Sequence, residues 1–234
     1  MRLILLIIFL LALTASGQGQ AQTKEERLKQ NAKRAMETIL DKKENIVGLE
    51  VVVAEGTNEN FYSRWGHAML RFVDDDGVWF NDPMVSFVAL IDGKRINYLK
   101  GAVGSYEVIA EIQSVSHFWK KYTLQEERSL HRYIIPTTSD KRQKILSTLQ
   151  QWIEKQSYGN YRFFSNNCSQ VLGDFLREVG LELPSSSPMV PTKLPQWLKG
   201  NVLLPMPKLV VQNPKPLKEE AIQVLEISEE DYRY

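Results

Sequence analysis

Cysteine and an excess charge of either sign are what this sequence lacks. Its 234 residues include a single cysteine, Cys168, so the chain forms no internal disulfide. The 29 basic and 28 acidic residues leave a formal net charge of +1, which provides no electrostatic footprint for nucleic acid. We therefore expect no nucleic-acid partner, and the lone thiol needs an explanation.

Long apolar runs are scarce as well. The longest one extends from Leu3 to Leu13, after Met1 and Arg2, and small residues follow it. It falls short of the roughly 20 residues that a membrane-spanning helix needs, and this layout is typical of a signal peptide. We predict a signal peptide over residues 1–21 and a periplasmic or secreted protein, with a retained signal anchor as the alternative.

The pattern of apolar residues predicts one α+β domain over residues 45–200, preceded by an amphipathic helix over residues 22–44. β-branched or alternating runs mark the strands, and apolar residues at helical spacing mark the helices. Strands are expected at 45–54, 66–73, 78–81 and 131–135, and further short strands or loops at 86–90, 98–102 and 106–113. Helices are expected at 24–43, 116–130, 139–156 and 167–179.

Proline becomes frequent after Leu183, which prevents long regular elements there. The final stretch, from Lys215 onward, is rich in acidic residues. We therefore predict a Pro-rich and acidic C-terminal tail over residues 201–234, and no second domain.

Cys168 is the first candidate for chemistry. The apolar spacing places it in the first turn of a helix, directly after Asn166 and Asn167, which are good cap residues. A helix N-terminus lowers the pKa of a thiol, and its free backbone N–H groups can hold an oxyanion, so the position suits a nucleophile for acyl transfer. The alternative is that Cys168 is a small apolar residue of the core.

His67 is the candidate base for this thiol. It stands at the start of an apolar strand, whereas His117 and His131 stand among aromatic and charged residues and are expected to pack or lie on the surface. A third group usually orients such an imidazole through its other nitrogen. We predict Asn81, or else Asp82, for this role because the hairpin partner of the His67 strand ends there.

Three consecutive carboxylates, Asp74 to Asp76, are followed by Gly77 and resemble part of a metal site. No histidine or cysteine stands at ligand spacing from them, and such a run before a glycine is typical of a solvated hairpin turn. We therefore predict no metal. Acyl transfer by a thiol needs no cofactor, so none is expected.

Five blocks of the sequence, taken in order, resemble a known family. They are WGHAMLRF, NDP, KGAVGSY, YTLQEERSLHRYII and YRFFSNNCSQVLGDFL, and they extend from about Tyr62 to Gly180. Their order and spacing are similar to those of the periplasmic domain of the Lnb-type bacterial lipoprotein N-acyltransferases. WGH and NNCS are weak motifs alone, but five ordered blocks over half of the chain make the resemblance specific.

The resemblance implies a circularly permuted papain-like fold, akin to cell-wall amidases and lecithin:retinol acyltransferase, in which the histidine precedes the cysteine. His67 and Cys168 match the family's catalytic pair, and Asn81 falls on a recurring polar position after the histidine strand. Other recurring positions, expected to bind substrate or support the site, are matched by Arg71, Tyr122, Arg128, Tyr161 and Asn167.

The resemblance also implies a reaction. The cysteine of such enzymes takes an acyl chain from a lipid ester as a thioester and passes it to the amino group of a lipoprotein. Members that act on lipoproteins carry transmembrane helices after this domain, whereas this chain continues into the tail. We therefore expect an acyltransferase or hydrolase acting on lipoprotein or lipid acyl groups at the membrane surface, contacted by the aromatic residues Phe61, Trp65, Trp79 and Phe80.

Two other interpretations stay open from the sequence. One is a peptidoglycan amidase or endopeptidase of the same superfamily, since substrate choice depends on loops rather than on the fold. The other is a non-catalytic envelope binding module that keeps the fold and packs Cys168 as an inert thiol.

Overall fold

The computed structural model describes most of the chain between residues 23 and 194. The described ranges are 23–59, 61–75, 78–91, 97–135, 137–181, 183, 185, 187, 190–194 and 204–205. The predicted signal peptide over residues 1–21 lies outside them, as does the tail over residues 201–234 apart from two residues. Within these ranges, no helix is both long enough and apolar enough to cross a membrane.

An antiparallel sheet forms the centre of the described fold. Its strands are β1 Ile46–Ala54, β2 His67–Asp74, β3 Pro83–Ala89, β4 Tyr106–Ser114, β5 Leu130–Ile135, β6 Asn160–Tyr161 and β7 Leu204–Pro205. Their order in space is β6-β4-β3-β2-β1-β5-β7, and neighbouring strands pair in opposite directions. β1 and β2 lie near the middle of the sheet and are buried along most of their length, as their apolar sequences predict.

Helices accompany this sheet, which confirms the predicted α+β class. They are α1 Lys24–Asp41, α2 Tyr98–Val103, α3 Val115–Trp119, α4 Ser139–Lys155 and α5 Cys168–Glu178. Apolar side chains of α1, α4 and α5 pack on one face of the sheet, and the resulting first core includes Met36, Ile39, Phe72, Phe87, Ile145, Leu149 and Phe175. Each large apolar side chain buried in this way contributes about 1.5–3 kcal/mol to stability.

A thinner layer covers the opposite face. It consists of α3, the π-helical turn Lys120–Gln125 that continues it, and the 3-10 turn Trp79–Asn81. The second core, formed between this layer and the sheet, includes Val52, Met69, Phe80, Met84, Phe118 and Tyr122. The sheet is therefore the middle of three layers, and a residue of β2 points to the first or the second core according to its parity.

Three predicted elements differ from the structure. Residues 98–102, expected as a short strand or a loop, belong to the helix α2, which the Asn97 side chain caps by accepting a hydrogen bond from the N–H of Lys100. The helix predicted at 116–130 ends as a π-helical turn at Gln125. The partner of β2 is β3, because Trp79–Asn81 is a turn that buries Phe80 instead of a returning strand.

Candidate active site

α5 places Cys168 at its first position, as the sequence predicts. The Oδ1 atom of Asn167 accepts hydrogen bonds from the N–H groups of Ser169, at 3.1 Å, and Gln170, at 3.3 Å. In return, the Gln170 side chain accepts a hydrogen bond from the N–H of Asn167, which completes a capping box. Asn167 therefore starts the helix. Its side-chain oxygen accepts from the N–H groups of Ser169 and Gln170, so these two groups do not point freely at an oxyanion.

The Cys168 thiol is buried, with 5% of the residue exposed. Burial raises the pKa of the thiol to about 11, although the N–H groups of Ala68 and Ser169 and the charge of Arg128 act to lower it. The lowered thiol pKa expected from the helix N-terminus is therefore wrong for the folded protein, since the cost of desolvation exceeds the benefit of the helix end.

Alkylation of Cys168 tests this state of the thiol. A pKa of about 11 in place of the ordinary 9.0 lowers the thiolate fraction near neutral pH by about 100-fold. We expect iodoacetamide to react with the folded protein at least about 100-fold more slowly than with the same protein unfolded in guanidinium chloride, at one neutral pH. Comparable rates in the two states, with a titration midpoint below 9.0, would contradict the buried thiol.

His67 is the first residue of β2, and Gly66 sets its direction. Gly66 has a φ of 83°, and a Cβ atom there would lie 2.5 Å from the carbonyl oxygen of Ala54 and 2.7 Å from Cγ2 of Thr192. A side chain at this position is therefore excluded both by conformation and by space. After this tight turn, the half-buried imidazole of His67 lies in the second core, where it stacks on Tyr122 with ring centroids 5.6 Å apart.

The imidazole of His67 is held neutral. Burial lowers its pKa well below the usual value, and the charges of Lys121 and Arg128 lower it further. Its Nε2 atom lies 2.6 Å from Oγ of Ser86 on β3, and Ser86 is itself fully buried. This hydroxyl, which the sequence did not single out, occupies the place expected for the third group.

The imidazole and the thiol lie at the same end of β2. Ala68 belongs to the first core with α5, whereas Met69 belongs to the second core, so alternation along the strand directs His67 to the second. The described ladder between β2 and β3 begins at Met69, and the N–H of Ala68 bonds to the thiol of Cys168. No hydrogen bond joins the two side chains among those of the described residues, and the backbone of Ala68 is the link between them.

A carboxylate lies behind Ser86. Glu111 of β4 stands directly opposite Ser86 in the strand register, so both side chains lie on the same face. The residue is 5% exposed, and its Oε1 atom lies 3.7 Å from Nε2 of His117, beyond hydrogen-bond distance. His67 of β2, Ser86 of β3 and Glu111 of β4 thus form a row of polar groups under Tyr122. His117, which was expected to pack or to lie on the surface, stands beside Glu111 in this row.

Asn81 is not part of this row, contrary to the prediction. The hairpin register pairs Met69 with Ser86 and Arg71 with Met84, so the turn that holds Asn81 lies near the other end of β2. Asp82 is held there as well, because its Oδ1 accepts a hydrogen bond from the N–H of Asp74 at 3.3 Å. The prediction placed the returning strand too early in the chain.

Arg71 also lies away from the thiol, in a buried ion network. Its Nε donates to Asp82 at 2.8 Å, and one terminal nitrogen donates to Glu50 at 2.7 Å. Arg132 donates to the same Glu50 carboxylate from β5. Burial acts to raise the pKa of the Glu50 carboxyl, but hydrogen bonds and charges of Arg132 and Arg71 hold it below its usual value. Arg71 therefore joins strands, and the expected role in supporting the site is not direct.

The acidic run before Gly77 is only partly a solvated turn. Asp74 is the last residue of β2, is 8% exposed and lies 3.5 Å from Nζ of Lys42. Asp76 and Gly77 lie outside the described residues. Among the residues that are described, no group of three or more histidine, cysteine, aspartate or glutamate side chains is placed to hold a metal ion.

Tyr122 and Arg128 stand behind the imidazole of His67. The guanidinium of Arg128 lies 4.9 Å from the ring centroid of Tyr122 and donates to the carboxylate of Glu126 at 2.7 Å. It also donates to the backbone carbonyls of Ala54 and Glu55, next to the Gly66 turn. Burial and this cation together fix the ring on which His67 stacks.

A series of aromatic contacts begins at Tyr161, the neighbour of the Cys168 thiol. Burial raises the pKa of the Tyr161 hydroxyl, and the neighbouring Cys168 thiolate raises it further. The Tyr161 ring lies 5.6 Å from that of Phe163, which lies 5.6 Å from that of Trp65. Trp65 also contacts Phe164 edge-on, at 6.4 Å. The sequence singled out Tyr161 and Trp65, and the double phenylalanine before NNCS was the overlooked signal.

Comparison with known proteins identifies a family for this chain. The sequence model described as Lnb N-terminal periplasmic domain matches residues 37–199, which is well over half of the chain. The match begins inside α1 and includes the described strands β1 to β6 as well as α5. No curated protein and no solved structure matches the chain.

Proposed function

Because the chain belongs to the family of the Lnb N-terminal periplasmic domain, we propose that this exported envelope protein is a thiol acyltransferase or hydrolase. Its proposed intermediate is a thioester at Cys168, and its proposed base is His67. The observation that carries the proposal is that both groups lie at one end of β2, where the N–H of Ala68 bonds to the thiol and His67 is the residue before Ala68.

The proposed fold relationship follows from the same elements. In a circularly permuted papain-like domain, the histidine strand precedes the cysteine helix, and the helix N-terminus abuts the sheet. β2 with His67 precedes α5 with Cys168, and α5 packs on β2 and β3. We propose this topology for the chain on that basis.

The proposed first half-reaction moves one proton and one acyl group. His67 accepts the proton of the thiol while Sγ attacks the carbonyl carbon of an acyl ester, so that an S–C bond forms. The C–O bond of the ester then breaks, and the leaving alcohol takes the proton from the imidazole. Two neutral groups begin the step, as the raised pKa of the Cys168 thiol and the lowered pKa of His67 require.

The second half-reaction returns the thiol. An amine attacks the thioester carbonyl, a C–N bond forms, the S–C bond breaks, and a proton returns to Sγ through His67. Water in place of the amine yields a free fatty acid. The N–H of Cys168 is the proposed donor to the oxyanion, because the cap of Asn167 occupies the next two N–H groups of α5.

Ser86 and Glu111 are proposed to fix the tautomer of His67. If the N–H at Nε2 donates to Oγ of Ser86, the Ser86 hydroxyl proton is directed toward Glu111, the residue opposite it in the register. Nδ1 then carries the lone pair that accepts the thiol proton. Ser86 is a positioning residue in this scheme, since it acts through the imidazole.

The pH dependence of turnover tests the electrostatics of His67. The base works unprotonated, so a pKa well below 6.5 places the acid limb of kcat/KM well below pH 6.5. Lys121→Met removes a charge that lowers this pKa, and we expect it to move the acid limb to higher pH. The matched variant Lys120→Met changes a neighbouring lysine that does not shift His67, and its acid limb should stay in place. An unchanged Lys121→Met profile would contradict this assignment.

The proposed substrate is an acyl group of a lipid or lipoprotein at the membrane surface. We propose incubating the purified protein with bacterial phospholipid and a diacylated lipopeptide, and analysing both lipids by mass spectrometry. A triacylated lipopeptide identifies the transferase, and free fatty acid without it identifies the hydrolase. Neither product, with the folded protein at high concentration, would contradict both forms of the proposal.

A non-catalytic envelope binding module is the second candidate, favoured by the burial of Cys168. A thiol that is 5% exposed with a pKa raised to about 11 is also what an inert core cysteine shows. In that case the wild type and Cys168→Ala bind lipopeptide equally well, and neither yields a product. The acyltransferase requires product from the wild type alone.

A further inference from the structure

Three large apolar side chains are exposed beside the aromatic residues of the site. Leu99 and Val103 of α2 are 79% and 68% exposed, and Phe164 is 64% exposed. These three residues are called the apolar rim. Apolar side chains that stay in water cost free energy unless a partner covers them.

The members of the rim lie around one ring, that of Phe163. Leu99 and Val103 are four residues apart on α2 and share one side of it, while Gly101 faces inward. A Cβ atom on Gly101 would lie 3.2 Å from Cε2 of Phe163, so α2 rests directly on that ring. Phe163 in turn lies 6.4 Å from Phe164, which brings the third member of the rim beside the helix.

Two exposed cations flank the rim. Lys100 follows Leu99, and Arg162 lies against α2, because its Nε atom would be 2.9 Å from a Cβ atom on Gly104. Among the described residues, neither side chain has a carboxylate within ion-pair distance. Exposed cations beside exposed apolar groups are the combination that suits an anionic phospholipid surface.

We infer that the apolar rim, with Lys100 and Arg162, docks the protein on a bilayer that contains anionic phospholipid. The rim side chains enter the boundary between headgroups and acyl chains, and the two cations meet lipid phosphates. The inference deepens the proposed function by naming the surface that faces the lipid. Phe163 connects the rim to Trp65 and Tyr161, so docking brings the bilayer to the aromatic wall of Cys168.

This assignment differs from the aromatic residues expected from the sequence. Phe80 is 8% exposed in the second core, where it stacks on Trp79 with ring centroids 3.8 Å apart. Those two residues belong to the turn at the far end of β2 from His67. Trp65 lies next to the rim, through its contact with Phe164, and the side chain of Phe61 lies outside the described part of the chain.

Vesicle flotation of the exported protein tests the inference without any turnover. The probes are vesicles of phosphatidylcholine alone and of phosphatidylcholine mixed with phosphatidylglycerol, and every variant carries the same N-terminus. We expect Leu99→Asp combined with Val103→Asp to lower binding to the mixed vesicles at least about tenfold. Lys100→Glu combined with Arg162→Glu should abolish the preference for phosphatidylglycerol, with at least about a fivefold loss for each cation.

Val47→Asp is the matched control. Val47 is 49% exposed at the start of β1, which pairs with the end of β2 distant from His67, so this change should leave binding unaltered. Equal flotation of the rim variant and the wild type would overturn the inference. A wild type that binds no vesicles would also overturn the inference. The rim would then be covered by protein, either a second copy of the chain or its own tail. Flotation measures vesicle binding and needs no turnover, so Cys168→Ala should float like the wild type. A loss of vesicle binding is therefore distinguishable from a loss of the proposed acyl transfer.

Discussion

Replacing Cys168 by alanine is expected to lower the turnover of an acyl substrate at least about 1000-fold, to the background rate. The reason is that the proposed thioester has no other nucleophile, since Cys168 is the only cysteine of the chain. The measurement is the initial rate of lipopeptide acylation or fatty-acid release, with circular dichroism to confirm that the variant is folded. A Cys168→Ala rate within tenfold of the wild type contradicts the account.

Variants of His67 and Ser86, with losses of activity of different size, test whether the loss in Cys168→Ala comes from the proposed mechanism. His67→Ala removes the proposed base and should lower kcat/KM by about 100- to 10,000-fold. Ser86→Ala removes one neutral hydrogen bond and should cost about 2- to 12-fold, because such a bond contributes about 0.5–1.5 kcal/mol. Ser86→Thr keeps the hydroxyl and should recover part of that loss. A Ser86→Ala effect as large as that of His67→Ala would assign Ser86 a direct role.

Replacing Arg71 by methionine is expected to destabilise the protein by about 3–5 kcal/mol. The Arg71, Glu50 and Asp82 side chains are 4%, 4% and 1% exposed, so the change removes a buried positive charge that contacts both carboxylates. Glu50 keeps Arg132, and Asp82 keeps the hydrogen bond from the N–H of Asp74. Urea unfolding, followed by circular dichroism, measures the loss as a lower midpoint at unchanged slope.

Lys42 provides the matched control for this ion network. Its side chain is 52% exposed and lies 3.5 Å from Asp74, so Lys42→Met should cost no more than about 1 kcal/mol. A free energy of unfolding for Arg71→Met within 1 kcal/mol of the wild type would show that the buried charges are not what holds β1, β2 and the turn before β3 together.

Local patterns were enough to predict the elements that carry the thiol. Apolar spacing and two cap-forming asparagines predicted α5, and the capping box of Asn167 confirms its start. β1 was predicted from its β-branched run and differs by one residue at its start. Both succeed because capping and periodicity depend on residues that are close in the chain.

The parts of the site that the sequence did not predict depend on distant residues. Ser86 was overlooked, and Asn81 chosen, because the partner of His67 follows from the length of the turn between β2 and β3. The thiol pKa was expected to fall, because burial by the sheet cannot be inferred from the helix that carries Cys168. The choice of Cys168 and His67 as candidates, by contrast, did not depend on the pairing of strands, because it followed from the single cysteine and from the place of His67 at the start of a strand.

Trapping the acyl-enzyme tests the central claim most directly. The purified protein is incubated with bacterial phospholipid without an amine acceptor, and its intact mass is measured by mass spectrometry before and after hydroxylamine. The account predicts a fatty-acyl mass on the wild type that hydroxylamine removes, and its absence from Cys168→Ala and His67→Ala. An unmodified wild type, or an acyl mass that persists in Cys168→Ala, would contradict a thioester mechanism.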